Sequence, residues 1–405
     1  MKILQITSKS PWPPTTGEAV AILAHAKGFF LLGHAVQVLA MNWPDNRLSL
    51  ADIPEYLSKD IDIQLVNVSY SKSPYMWAGR SLFNVTLPDI GPRMAYCREL
   101  TNVLQNGEFD VIQLEGLYLC PYIRLIRKHA KNALIVLRAH NIEYVMWRRE
   151  ARRSGVFRWL FLQRFAFLLK RLGRKFVNDY DALVTITEQD GLIYDKLGNI
   201  RPRFTSPAGI DLSEWVPSTK NLEHPSLFHI GPLDWPPNRE GLVWFLNNCW
   251  PEIHAKYPAM KFYIAGRKAP ARLRRQYENL AVEFLGEVSD ARHFMNSKSI
   301  MVVPLHAEGG MRVKIIEAMA LGKAIVSTPS AATGIPVQDN ENILLADTSK
   351  DFSAAIIRLL NDKILYDKLC KNSINFIREK YNNANVIGEL IKFYKEQIRL
   401  KTQAK

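Results

Sequence analysis

Cysteine is scarce in this chain of 405 residues, and the four present, Cys97, Cys120, Cys249 and Cys370, lie far apart. None forms a CxxC pair or stands with histidine at zinc-site spacing, which excludes a disulfide scaffold and a zinc ribbon. They read as buried thiols of a reducing compartment. No stretch of about 18 uninterrupted apolar residues occurs, so no transmembrane helix is expected. The most apolar early segment, 19–40, is broken by His25, Lys27 and His34. The opening MKILQITS has no continuous apolar core and reads as a strand, not a leader. A GxGxxG fingerprint is absent, which removes the usual dinucleotide signature. No acidic pair of the Asp-x-Asp kind stands at the end of a predicted strand, so no metal and no cofactor are expected. Acidic side chains are the minority, 39 against 53 Lys and Arg, for a net charge of +14. Such an excess suits nucleic acid, an anionic membrane or a phosphorylated substrate. Nothing resembles a nucleic-acid-binding motif, so nucleic acid is not expected as a partner.

What is present is an α/β pattern, twice. The length favours two domains of about 200 residues each, and 47% hydrophobic content is enough for two cores. Residues 2–7 read as a strand. The loop SKSPWPPTTGEA follows, where prolines forbid helix and Gly17 can take positive φ. A helix from Glu18 to about Leu32 and the strand HAVQVLAMN complete a β–loop–α–β opening. Further strands are expected at 63–68, 111–114, 133–138 and 182–187. Residues 71–96 read as an irregular excursion facing the acceptor. His140 and Asn141 stand just past a strand's C-terminal end, where ligands lie in open α/β sheets.

Segment 147–176 carries eight Arg and two Lys against one Glu, interleaved with aromatics. It reads as a basic, aromatic helix suited to an anionic membrane surface. Residues 206–225, rich in Pro, Ser and Asp, read as a linker. The expected division is thus 1–205, the linker 206–225, a second domain 226–380, and a C-terminal helix with a basic tail over 381–405. In the second domain, SLFHIG is a strand. A helix starts near Asn238, with Leu242, Phe245, Leu246 and Trp250 on one face. KFYIAG, VEFLGEV and SIMVVPL follow as strands, and ENILLAD is expected as the last one.

The most informative stretch is HAEGGMRVKIIEAMALGKAIVST, 306–328. A strand feeds a loop with Gly309 and Gly310, then a helix begins near Met311 and ends at Gly322. Such a helix N-terminus offers free N–H groups and partial positive charge to a phosphate. Arg312 and Lys314 add full charges, and Glu317 lies one turn further on.

These segments together resemble a retaining glycosyltransferase of the GT-B fold, in glycosyltransferase family 4. EGGMRVKIIEAMALGKAIVST resembles the family signature. FHIGPLDWPPNREGLVWFL and YIAGR resemble the strands and loops of its donor domain. PPTTGEA, RAHNIEYVMWRR and SPAGIDLSEWVP resemble the glycine loop, the mid-domain histidine segment and the interdomain linker. The resemblance implies two doubly wound Rossmann-like domains facing a cleft, an N-terminal one for the acceptor and a C-terminal one for a nucleotide-sugar. It also implies a C-terminal helix that packs back toward the first domain.

By this resemblance Glu317 binds the donor ribose, Gly17 lets its loop approach the donor phosphate, and His140 stands near the sugar. Arg312 or Arg267 supplies charge to the diphosphate, with Lys314 at the same helix end. The family motif has two glutamates. Here Gly309 occupies the first position and Glu308 stands one residue early, so backbone groups of 309–311 take that role. Asn238 and Arg239 stand where many relatives carry basic residues. The implied activity is metal-independent transfer from a UDP- or GDP-linked sugar, with retention. The acceptor would be a glycan or lipid-linked molecule of surface polysaccharide or glycolipid assembly. The implied location is cytoplasmic, peripheral on the membrane's inner face. A nucleotide-sugar epimerase or hydrolase of the same fold, and a non-catalytic GT-B binding protein, stay open as alternatives.

Overall fold

The computed structural model describes residues 1–70, 78–79, 81–82, 91–152, 154–277, 280–306 and 311–403. The chain forms two compact units. The first combines Met1–Gly209 with Asn383–Lys405; the second is Ile210–Asn382.

In the first unit seven strands form one parallel sheet: β1 (Lys2–Thr7), β2 (Ala35–Asn42), β3 (Asp62–Asn67), β4 (Val111–Glu115), β5 (Leu134–Ala139), β6 (Ala182–Thr185) and β7 (Arg203–Thr205). Their order is β3-β2-β1-β4-β5-β6-β7. The central strands are buried on both faces and mostly apolar, with Gln5, Gln113, Glu115 and Arg138 as buried polar exceptions. The sequence leaves β1 through the helix Gly17–Leu31, capped by Thr16, whose hydroxyl accepts from the N–H of Ala19. Gly17 is therefore the first helical residue, and its capacity for positive φ is not used.

The second unit repeats the plan with β8 (Glu223–Ile230), β9 (Phe262–Ala265), β10 (Val282–Gly286), β11 (Lys298–Val303), β12 (Ala324–Ser327) and β13 (Leu344–Leu345). All six are parallel, in the order β10-β9-β8-β11-β12-β13. In each sheet the chain reverses direction of travel once, between β1 and β4 and between β8 and β11. These are the switch points at which loops part and ligands bind.

The helix Asn383–Gln403 follows the second unit in sequence but belongs to the first. Ile387, Leu390, Ile391 and Tyr394 join the apolar layer formed by Ile3, Phe29 and Val136. Gly28 makes this possible: a Cβ there would stand 2.5 Å from Ile387. Lys401 closes the far end, with Nζ 2.8 Å from the Asp181 carboxylate.

Several expectations need correction. The segment 206–225 is not one linker, because 206–209 stay with the first unit and β8 already begins at Glu223. Trp250 opens a separate helix, Trp250–Lys256, after the first one ends at Asn248. The helix expected from Met311 starts at Val313, since Arg312 has ψ 87 and Met311 precedes it. The last strand shrinks to two residues, Leu344–Leu345. The basic segment is two helices, Glu143–Arg152 and Val156–Phe176, parted at Gly155. Most of the excursion 71–96 lies outside the described residues; Met94–Asn106 is a helix.

Candidate active site

At the second unit's switch point, β8 ends at Ile230 and a loop leads to the helix Pro236–Asn248. Two prolines open that helix, where a missing N–H costs nothing. Asn238 is buried there. Its Nδ2 donates to the Pro232 carbonyl at 2.9 Å, and its Oδ1 accepts from Lys314 Nζ at 2.9 Å. Lys314 Nζ also donates to the Ile230 carbonyl at 3.0 Å. One ammonium group thus ties the helix Val313–Ala320 to the end of β8 and to the next helix.

Burial pushes the Lys314 ammonium down to about 7, and the neighbouring Arg312 charge acts in the same direction. Burial also pushes the Glu317 carboxyl up to about 7, against the attraction of Lys314. Glu317 is half-buried, and its carboxylate makes no hydrogen bond or ion pair among the described residues. The Arg312 guanidinium lies over the Trp235 ring, 4.9 Å from its centroid. Arg267 follows β9 and sits 3.5 Å from the Asp234 carboxylate. Its carbonyl accepts from the Leu233 N–H, which joins the two loops. Arg239 is half-buried on the first turn of Pro236–Asn248, and Met311 is half-buried before its own helix. Gly309, Gly310 and Glu308 lie outside the described residues.

The first unit has its own polar edge. Glu115, the last residue of β4, is fully buried. Its Oε1 accepts from Gln5 Nε2 at 2.9 Å and from Gln113 Nε2 at 2.5 Å. Its Oε2 meets His140 Nε2 at 2.6 Å and Arg138 Nη1 at 3.3 Å. Burial opposes the carboxylate's charge, but Arg138 and the His140 and Gln113 hydrogen bonds hold it below its ordinary value. Nearby His25 is held well below the usual imidazole range, by burial first and then by Arg138 and His140. Gly17 belongs to this unit, while Arg312, Lys314 and Glu317 belong to the other.

Residues 224–362 match the model of the family Glycosyl transferases group 1. The match spans the second unit from β8 through the helix Ser349–Asn361, and so includes Asn238, Arg267, Lys314 and Glu317. An uncharacterized Klebsiella pneumoniae protein in a cps region is 23% identical over 96% of this chain and 99% of its own. An uncharacterized glycosyltransferase of Methanocaldococcus jannaschii is 29% identical over 31% of this chain and 33% of its own. Among solved structures, Anabaena HepE with UDP and glucose superposes with a TM-score of 0.70 at 14% identity, covering 98% of this chain and all of that one. Sucrose-phosphate synthase of Thermosynechococcus elongatus reaches 0.75 at 16%, over 99% of this chain and all of that one. The fold is GT-B, and the family match supports glycosyltransferase function.

Sequence reasoning missed Glu115, Gln113, Tyr394 and Trp235. A signal existed for the first two: Gln113 and Glu115 are polar residues two apart in an otherwise apolar strand, hence on one face. Across the ladder Gln113 faces Gln5, and Glu115 faces Arg138.

Proposed function

We propose that this protein transfers a sugar from a UDP- or GDP-linked donor to an acceptor hydroxyl, with retention of configuration and without a metal. The observation that carries the reading is the Lys314–Asn238–Ile230 tie with Glu317 one turn along, at the switch point of the family-matched unit. In this reading Glu317 accepts hydrogen bonds from the ribose hydroxyls. A departing diphosphate builds up negative charge, and Arg312, Lys314 and the start of Val313–Ala320 stabilise it. Arg267, Arg239 and Asn238 serve the same donor, and Met311 precedes the helix that meets it. In this reading Gly17 and His140 are the first unit's contribution to sugar transfer, and the acceptor is that unit's ligand.

A UDP-linked donor gains support from HepE, whose structure holds UDP and glucose. A surface-polysaccharide or glycolipid acceptor gains support from the relative in a cps region. Peripheral attachment to the inner membrane face would go through the helix Val156–Phe176. That helix exposes Phe157, Leu160 and Phe167 beside Arg164, Arg171 and Arg174. No helix among the described residues is long and apolar enough to cross a membrane.

The test is a panel of UDP-, GDP- and ADP-sugars with glycan and lipid-linked acceptors, followed by nucleotide release. Acceptor-dependent release is expected, and Glu317→Ala should reduce it about 100-fold. Release without any acceptor would favour a hydrolase or epimerase. If no donor binds and Glu317→Ala changes nothing, the enzyme reading fails.

A further inference from the structure

Four groups from four parts of the chain bond Glu115 and a fifth braces one of them, more than burying one carboxylate requires. Gln5 comes from β1, Gln113 from β4 itself, Arg138 from β5 and His140 from the turn after β5. The fifth group acts indirectly. Tyr394, on the helix Asn383–Gln403, donates its hydroxyl to Gln113 Oε1 at 2.5 Å. A carboxylate only accepts, so the NH2 end of the Gln113 amide faces Glu115 and its oxygen is left to the Tyr394 hydroxyl. The division between the two carboxylate oxygens is clean. Both glutamines donate to Oε1, leaving Oε2 to Arg138 and His140. The histidine contact, 2.6 Å, is much closer than the 3.3 Å arginine contact.

We propose that Glu115 is a positioning residue for His140: it holds the ring with Nε2 protonated, so that Nδ1 presents a lone pair to a sugar hydroxyl. A carboxylate accepts only, so the proton of this bond sits on Nε2. His140 Nδ1 makes no hydrogen bond among the described residues. The pair stands at the C-terminal ends of β4 and β5, the edge of the sheet where ligands lie. A carboxylate behind an imidazole fixes both tautomer and ring orientation. Here that carboxylate is itself braced through Gln113 by Tyr394. The proposal rests on the glycosyltransferase reading for its kinetic part alone.

The experiment uses the full chain labelled with ¹⁵N-histidine. The His140 imidazole signals are assigned by their loss in His140→Gln. At about pH 8, above the ordinary imidazole range, Nε2 should appear protonated and Nδ1 unprotonated. Nδ1 protonation in the wild type would overturn the proposal. In turnover assays Glu115→Gln should lower kcat about 10- to 100-fold and change KM less than about threefold. In the His140→Gln background the same change should add less than about threefold, because both act as a unit. An equal kcat loss in both backgrounds would mean that Glu115 is merely structural. Glu115→Gln leaves Arg138 without its counter-charge, so a second variant guards against misfolding. Tyr394→Phe keeps both charges and should lower kcat several-fold, again only where His140 is present. An equal loss with and without His140 overturns the proposal. If the wild type turns over no donor, the glycosyltransferase reading falls, while the tautomer measurement still decides the Glu115–His140 pair.

Discussion

Lys314 and Glu317 are three residues apart on one helix, and burial moves them in opposite directions toward the same value, about 7. For Lys314 the folded value lies below the ordinary 10.5, so the unfolded chain holds the extra proton between about pH 7 and 10.5. Its contribution to stability therefore rises with pH across that window. For Glu317 the folded value lies above the ordinary 4.5, so the folded chain holds the extra proton, and stability falls from pH 4.5 to about 7. A diphosphate beside Lys314 would favour its charged form. UDP binding at about pH 8, where ordinary histidines are already neutral, should then take up a fraction of a proton. Calorimetry in buffers of different ionisation enthalpy should detect the uptake, and Lys314→Met should abolish it. The place of these two residues, on a helix that follows a strand and a loop, was legible. The partners of Lys314 were not, since Asn238 lies 76 positions away. Tyr394 was still less legible, because it reaches Gln113 across 281 positions.

Loops and helices show the same division between local and distant causes. The start of Gly17–Leu31 was readable to within one residue, because Thr16, a short oxygen side chain before an apolar run, is a local signal. The start of Val313–Ala320 was misplaced because Arg312 turns aside to stack on Trp235, a contact that spacing does not record. The loops after β8 and β9 touch through backbone at Gly266. A Cβ there would stand 1.9 Å from the Gly231 carbonyl oxygen. Gly266→Ala must therefore push the two loops apart. A stability loss of about 1–3 kcal/mol, as for overpacking, should appear as a lower thermal midpoint, with weaker donor binding.

On Val156–Phe176, Leu162, Phe165, Leu169 and Phe176 face inward, while Phe157, Leu160, Arg164 and Arg171 are exposed. If this face meets anionic lipid, each basic residue adds about 1 kcal/mol near the surface. Reversing Arg164, Arg171 and Arg174 to Glu should abolish co-sedimentation with phosphatidylserine vesicles. It should leave binding to neutral vesicles and turnover of a soluble acceptor unchanged.

At the scale of the molecule, the duplicated strand–helix order was legible, because each half shows the same alternation of short apolar runs and amphipathic stretches. Which unit owns the last helix was not written in any local pattern. It follows from Gly28, from the apolar set around Tyr394 and from the Lys401–Asp181 pair. Ile387, Leu390, Ile391 and Tyr394 are buried against the first unit. At about 1.5–3 kcal/mol per buried side chain, they supply an amount comparable with the about 5–15 kcal/mol that stabilises a whole domain. Ending the chain after Asn382 should thus leave the first unit unfolded, while the second keeps its own cooperative transition. Calorimetry would show one endotherm lost and one retained.

This ownership also sets an order of events at the ribosome. Everything from Ile210 to Asn382 is contiguous and can close as soon as it has emerged. The unit that starts first cannot finish first: its sheet waits with one face open until the helix Asn383–Gln403 is synthesised. Released chains that end at Asn382 should therefore carry a protease-resistant later half behind a protease-sensitive earlier one.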